Sequence, residues 1–194
     1  VENVTWQVGR TGKLTPLATV SPVELAGATV RKATLNNFGD ILRKDVKIGS
    51  RVLIRRSNEV IPEILGAYEH TGESVDIQKP HSCPYCGAEL IEEGANVFCP
   101  NKKCRPRVAA ALANFASKGG MDVEGFSEMT AYQLIDVLGV SNFSDLYALD
   151  KEKLSRLEGF GDKKIKNLLG ALEKSKQVPL DRFLFALGID GILM

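Results

Sequence analysis

Long apolar runs are missing from this 194-residue sequence. No stretch approaches the ~18 consecutive apolar residues that a membrane-spanning helix needs, and no basic, apolar, small-residue order of an export signal opens the chain. These absences argue against a helical membrane protein and predict a soluble chain of the cytoplasm. Charge of one sign is also missing: 25 Lys and Arg stand against 24 Asp and Glu, a net +1, so any attraction to a polyanion must be patchy. Cysteine is scarce, with four residues in all. The sequence begins at Val1, directly in a strand-like stretch, and stops after "LGIDGILM", which reads as a piece of something longer.

What is present is unevenly placed. Residues 1–60 hold ten Lys and Arg against five Asp and Glu, leaving fifteen against nineteen for the remainder. In the basic part, "TWQVGRTGKLTPLATV", "GATVRKATL" and "SRVLIRRS" are rich in Val, Thr, Ile and Leu and broken by Gly, Pro and Asn. Short strands at this spacing predict a small β-barrel of the OB type over residues 1–78. Arg31, Lys32, Arg43, Lys44, Lys47, Arg51, Arg55 and Arg56 fall among those strands, either as a contact surface for phosphate or as solvated charges protecting a sheet edge. In "GRTGKLTP", Gly9 and Gly12 bracket Arg10 and Thr11 in a sharp turn where backbone can approach a ligand and an Arg fork can meet phosphate. A β-hairpin turn with a chance Arg fits the same residues.

The cysteines carry a sharper signal. Cys83-Pro-Tyr-Cys86 is followed after twelve residues by Cys99-Pro-Asn-Lys-Lys-Cys104. Two knuckles of this kind bring four thiolates to the corners of a tetrahedron, the geometry of a closed structural Zn²⁺ site. Disulfides suit the pattern less well, because a chain without an export signal is expected in a reducing compartment. A closed shell leaves no position for water, so a metal here would hold structure over residues 79–107 and perform no chemistry. His81 lies nearby as a bystander, and Lys102, Lys103, Arg105 and Arg107 make the second knuckle basic.

From Arg107 onward the pattern turns helical, and residues 108–194 are expected to be all-α. "MDVEGFSEMTAYQL" and "LSRLEGFGDKKIKNL" repeat one order of residues about 34 positions apart, as duplicated helix-hairpin-helix units would. Glycine at Gly125, Gly159 and Gly161 permits positive φ and clears the turn of side chains, so that amides there and in the first turn of the next helix can point at a phosphate oxygen. Lys163, Lys164 and Lys166 add charge to that end. The alternative is a tight αα-turn that only packs. It weighs more at the first hairpin, where Ser127 holds the second glycine's place and Glu124 and Glu128 dilute positive potential.

Taken in order, "WQVGRTGKLTP", "ATLNN", "VIPEI", the four-cysteine finger, "SKGGMDVEGF", "LEGFGDKK" and "RFLFALGI" resemble the OB, zinc-finger and helix-hairpin-helix regions of the bacterial NAD-dependent DNA ligases, across nearly the whole chain. The resemblance implies a multidomain α+β protein that clamps nicked double-stranded DNA without sequence preference as a monomer of the bacterial cytoplasm. Those enzymes seal 5′-phosphate/3′-hydroxyl nicks in replication and repair. It also implies Arg10 as the residue acting near the nick. Arg10, Thr11, Arg31, Arg55, Gly125, Gly159, Gly161, Lys163 and Lys164 are the implied DNA contacts, and Cys83, Cys86, Cys99 and Cys104 the structural zinc ligands.

In that family an adenylation domain uses NAD and Mg²⁺ to load AMP on the lysine of a K-x-D-G motif. No lysine here is followed by x-D-G, so this chain is expected to be inactive without its adenylation domain as partner and to bind neither NAD nor Mg²⁺. A fourth hairpin unit and a BRCT domain are also absent. Departures from the family pattern fall at Asn36, where His is commoner, at Ser57, Asn58 and Glu59 in place of "AGD", and at Asp190, where a basic residue is usual. Two rivals remain: a Holliday-junction-binding module, which joins an OB barrel to tandem helix-hairpin-helix units but has no four-cysteine finger, and a zinc-ribbon scaffold for protein partners.

Overall fold

A computed structural model describes residues 1–25, 27–56 and 61–189. Ser57, Asn58, Glu59 and Asp190, noted above as departures, lie outside the described residues. The chain divides into two compact units, Val1–Asn101 and Lys102–Met194.

The first unit is built on alternation. Strand β1 (Asn3–Val8) pairs antiparallel with β2 (Lys13–Leu25), and in β2 Leu14, Pro16, Ala18 and Val20 are buried while Thr15, Leu17 and Thr19 between them are only half-buried. That period of two is what a pleated strand with one covered face requires. Strand β3 (Ala28–Thr34) follows β2, and helix α1 (Phe38–Arg43) comes next, its first turn capped by the Asn37 side chain accepting from the Asp40 amide at 2.9 Å. Strands β4 (Lys47–Ile48), β5 (Arg51–Arg55), β6 (Glu63–Glu69) and β7 (Val75–Asp76) complete this part: β5 lies antiparallel to β6, β6 meets β3 in parallel at Thr34 and Glu63, and β4 pairs with β7. Ala18, Val20, Ala33, Leu35, Ile41, Val46, Ile64 and Ile77 form the core.

The stretch between the two cysteine pairs joins the same sheet. Strand β8 (Ile91–Glu93) pairs with β9 (Asn96–Phe98), and β9 continues onto β2 through Lys13↔Phe98 and Leu14↔Val97. The tip of this hairpin packs on α1 so closely that a Cβ at Gly39 would stand 2.9 Å from the Ala95 Cβ. Glycine is therefore required there by contact distance.

The second unit is helical: α2 (Arg105–Ala116), α3 (Glu128–Leu138), α4 (Phe143–Leu146), α5 (Lys151–Leu154), α6 (Asp162–Ser175) and α7 (Leu180–Ala186). Its core gathers Leu112, Phe115, Leu134, Leu146, Leu154, Ile165 and Leu168 among others, with Phe115 and Phe143 stacked at 4.4 Å. Boundaries follow local chemistry. Gly139 ends α3 in the left-handed region at φ 68°, and Asn142 and Asp145 form a reciprocal capping box at α4. No helix among the described residues is long and apolar enough to cross a membrane.

Candidate functional site

Cys83, Cys86, Cys99 and Cys104 converge, with all four Sγ atoms within 4.8 Å of one another. Cys83, Cys99 and Cys104 are buried and Cys86 is more open. The first knuckle is a tight turn in which the Gly87 amide donates to the Cys83 carbonyl at 2.9 Å and the Cys83 amide to the Ala88 carbonyl at 2.8 Å. The Ala88 amide, more than any other group, draws the Cys86 thiol down to about 6, whereas burial pushes Cys99 up to about 11. At 3.5 Å, Cys86 and Cys99 are not disulfide-bonded. A tetrahedral site with metal–sulfur bonds of about 2.3 Å has sulfur–sulfur edges of about 3.8 Å, within reach of this cluster. The donor set fits a metal ion, consistent with structural zinc, and His81 is not a member of the group.

The turn between β1 and β2 is held from both ends. The Gly9 amide donates to the Lys13 carbonyl at 2.9 Å and the Gly12 amide to the Gly9 carbonyl at 2.9 Å, with Gly12 at φ 89°, a value that favours glycine. Arg10 and Thr11 are exposed at its crest. The Gly12 carbonyl accepts the Cys99 amide at 2.8 Å, so a cysteine of the cluster is hydrogen-bonded to this turn. Nothing in the sequence signalled that contact between residues 87 positions apart.

The basic strands are largely compensated. Of the eight cations singled out in the sequence, five make ion pairs: Arg43 and Lys44 with Asp40, Lys44 and Arg55 with Glu63, Lys47 with Asp76, and Arg51 with Glu69. Hydrogen bonds, first from Arg43, hold the Asp40 carboxyl down at about 2. Asn36, at φ 61°, donates to Asp40 at 3.1 Å and to Glu63 at 2.9 Å, which gives this departure from the family pattern a structural role as a link between two carboxylates. Arg31 and Lys32 are exposed on β3, with no ion pair among the described residues.

The two helical hairpins run in the same order at an offset of 34, Glu124-Gly125-Phe126 in one answering Glu158-Gly159-Phe160 in the other. Phe126 donates its amide to the Val123 carbonyl at 3.1 Å and Phe160 to Leu157 at 3.3 Å, with Gly125 at φ 79° and Gly159 at φ 74° in equivalent places. Gly161 corrects the expectation of positive φ: it stands at φ −77°, ψ 166°, as the N-cap of α6. The Phe160 amide closes the turn, and Gly161 only has to be extended before the helix begins. Its counterpart Ser127 caps α3 by accepting the Thr130 amide at 3.1 Å, whereas α6 has no side-chain cap.

Gly125 and Gly161 line one cleft of about 410 Å³ together with Glu124, Lys163, Lys164, Asn167 and Leu168. Lys164 lies 3.8 Å over the Phe160 ring, and Lys151 pairs with Asp162 at 2.9 Å beside the α6 N-terminus. Gln133, absent from the sequence-based candidates, reaches from α3 to donate to the Glu158 carbonyl at 3.0 Å and so ties one hairpin's helix to the other's turn. A lone glutamine on a helix gives no sequence signal for such a role.

An OB-type strand unit, a four-cysteine group and a helical unit with a duplicated glycine turn define a class of modular protein built on an OB domain. Comparison makes the class specific. Residues 1–75 match the family described as the NAD-dependent DNA ligase OB-fold domain. Similar proteins include the DNA ligase of Alkaliphilus metalliredigens, 54% identical over 194 residues, and that of Alkaliphilus oremlandii, 52% identical over 194 residues, each covering 99% of this chain and 29% of the relative. DNA ligase 2 of Clostridium acetobutylicum is 51% identical over 192 residues, covering 98% of this chain and 29% of its own length. Residues 1–75 thus carry an OB-fold domain of the NAD-dependent DNA ligase type, and the chain spans 29% of the length of these bacterial DNA ligases, consistent with a piece of such an enzyme.

Proposed function

We propose that this chain is the DNA-gripping part of an NAD-dependent DNA ligase that seals 5′-phosphate/3′-hydroxyl nicks during replication and repair in the bacterial cytoplasm. The observation that carries the reading is the cleft lined by Gly125, Gly161, Lys163 and Lys164, in a chain 54% identical to a DNA ligase along 99% of its length. The first four amides of a helix have no intrahelical partner. At α6 the N-cap is Gly161, which makes no side-chain cap, and this leaves the amides of that turn to a phosphate oxygen, with the helix dipole and two lysines favouring the negative charge.

In the first unit, the turn offers Arg10 and Thr11, with Arg31 on the sheet, to the backbone near the nick; Arg55, proposed beside them, would reach it only by giving up its pair with Glu63. Phosphate contacts of this kind position a duplex and carry no sequence information. The four-cysteine group holds Zn²⁺ as a structural ion. NAD and Mg²⁺ act at the adenylation domain, whose K-x-D-G lysine this chain does not contain. The partner DNA is a nicked duplex, bound by a monomer. Mixing this chain with a separately expressed adenylation domain and assaying closure of a nicked duplex tests the reading. Sealing by the mixture and by neither part alone is expected, and a mixture no better than the adenylation domain alone would refute it.

A further inference from the structure

We infer that the four-cysteine group is a positioning device for the Gly9–Lys13 turn, so that filling it with a Zn²⁺-class cation sets the geometry in which Arg10 and Thr11 are displayed. Three observations carry this. The Cys99 amide donates to the Gly12 carbonyl at 2.8 Å, at a residue whose backbone is buried. The strand leading into Cys99 is paired with the first residues of β2 through Lys13↔Phe98 and Leu14↔Val97, both Leu14 and Val97 being buried. The far end of the same hairpin is fixed independently on α1 by the Gly39–Ala95 approach and by Lys79, which pairs with Glu92 at 2.6 Å.

The hairpin is anchored at its tip and along β9, and a cation bound by Cys99 adds an anchor where β9 runs out beside the turn. With thiolates bound to a cation, Cys99 is fixed and its amide holds the Gly12 carbonyl in line. Without the cation the four Sγ atoms, all within 4.8 Å of one another, lose their bonds to a common centre, and with them the folding free energy that a structural ion supplies locally. Cys99 then moves, and the buried Gly12 carbonyl loses the partner that a buried backbone acceptor requires. Gly12 is the last residue of the turn, so Arg10 and Thr11 are re-aimed. The coupling concerns the turn itself and goes beyond the DNA-gripping reading.

Amide NMR of the whole chain, without DNA, tests it. Zn²⁺-loaded protein is compared with protein stripped by chelator and with stripped protein reloaded. The Gly9 and Gly12 amides, which close the turn, are expected to shift reversibly, and the Cys99 amide to exchange with solvent at least tenfold faster after stripping. The Thr34 amide, which donates to the Pro62 carbonyl between β3 and β6, is expected to stay protected. Turn amides that do not move while Cys99 exchanges freely would overturn the inference. Should stripping unfold the chain, the same amides are followed in Cys86→Ser, which keeps three thiolates, as Zn²⁺ is titrated in. Turn and Cys99 signals that titrate together support the coupling, and turn signals constant across the titration refute it.

Discussion

Gly159 and Gly161 look interchangeable in "LEGFGDKK", but the structure assigns them opposite tolerances. Gly159 stands at φ 74°, and a Cβ built there meets nothing within 4 Å. The whole cost of Gly159→Ala is therefore backbone strain, about 1–2 kcal/mol for a non-glycine residue in the left-handed region. Gly161 is at φ −77°, where any residue is at ease, and its Cβ also meets nothing. Gly161→Ala loses a slightly better N-cap but restricts the unfolded chain, two terms of about 0.5 kcal/mol each and of opposite sign. For a unit of about a hundred residues, 1 kcal/mol moves the midpoint by about 4–8 °C. Gly159→Ala should therefore lower the thermal midpoint of the helical unit by about 4–16 °C, while Gly161→Ala should move it by a few degrees at most. Circular dichroism at 222 nm follows the transition. A Gly161→Ala loss equal to or larger than that of Gly159→Ala would refute the assignment of the strained position.

Further outcomes follow from the same contacts. Gly161→Ser should cap α6 as Ser127 caps α3, raising stability by a few tenths of a kcal/mol while weakening duplex affinity severalfold, since the hydroxyl engages an amide otherwise open to phosphate; fluorescence anisotropy reads the affinity, and unchanged binding would sink the amide contact. Affinities for duplexes of unrelated sequence should fall in parallel as salt rises, with a log–log slope near −0.9 for each phosphate neutralised, measured by titration at several salt concentrations. Asp40 has its folded pKa lowered from 3.8 to about 2; its contribution is thus present above about pH 4 and is lost as pH falls toward 2. Asp40→Asn should remove that acid limb in urea unfolding and, after allowance for solvent screening, cost about 1 kcal/mol at neutral pH.

Much of the local chemistry was legible in the sequence because it depends on neighbours along the chain. The four cysteines announce themselves by spacing within two knuckles, and the glycine hairpins by a repeat of residue order. The strand pattern of β2 is set by its own alternation. What could not be read depends on register between distant segments. Gly159 and Gly161 differ because the turn closes at Phe160, one residue earlier than the pair of glycines suggests, and only the backbone path reveals it. The Cys99–Gly12 and Gln133–Glu158 contacts join residues with no shared motif, so sequence proximity had nothing to offer.

The basic surface is the instructive failure of counting. The excess of five cations over residues 1–60 leaves two readings open in the sequence, a contact surface for phosphate or solvated charges at a sheet edge. Yet the carboxylates that answer Lys44, Arg55, Arg51 and Lys47 are Glu63, Glu69 and Asp76, all beyond residue 60. The antiparallel register of β5 on β6, which sets Arg51 opposite Glu69 and Arg55 opposite Glu63, delivers two of them, and β4 on β7 sets Lys47 opposite Asp76. Charges dispersed in sequence are thereby neutralised in space. An exposed pair of this kind contributes little to stability, but it does cancel the field that would attract a polyanion at a distance. Arg31 and Lys32 on β3 are left to carry the sheet's outward charge, and Arg10 reaches out from a turn whose shape the cysteine group controls. On the proposed reading a duplex would be held by a few positioned groups rather than by net charge, so its affinity should respond more to Arg31→Ala than to Arg51→Ala, whose cation is already engaged by Glu69 at 3.0 Å. Equal losses of duplex affinity in the two variants would mean that the ion pairs open on binding and that the compensated cations serve the DNA after all.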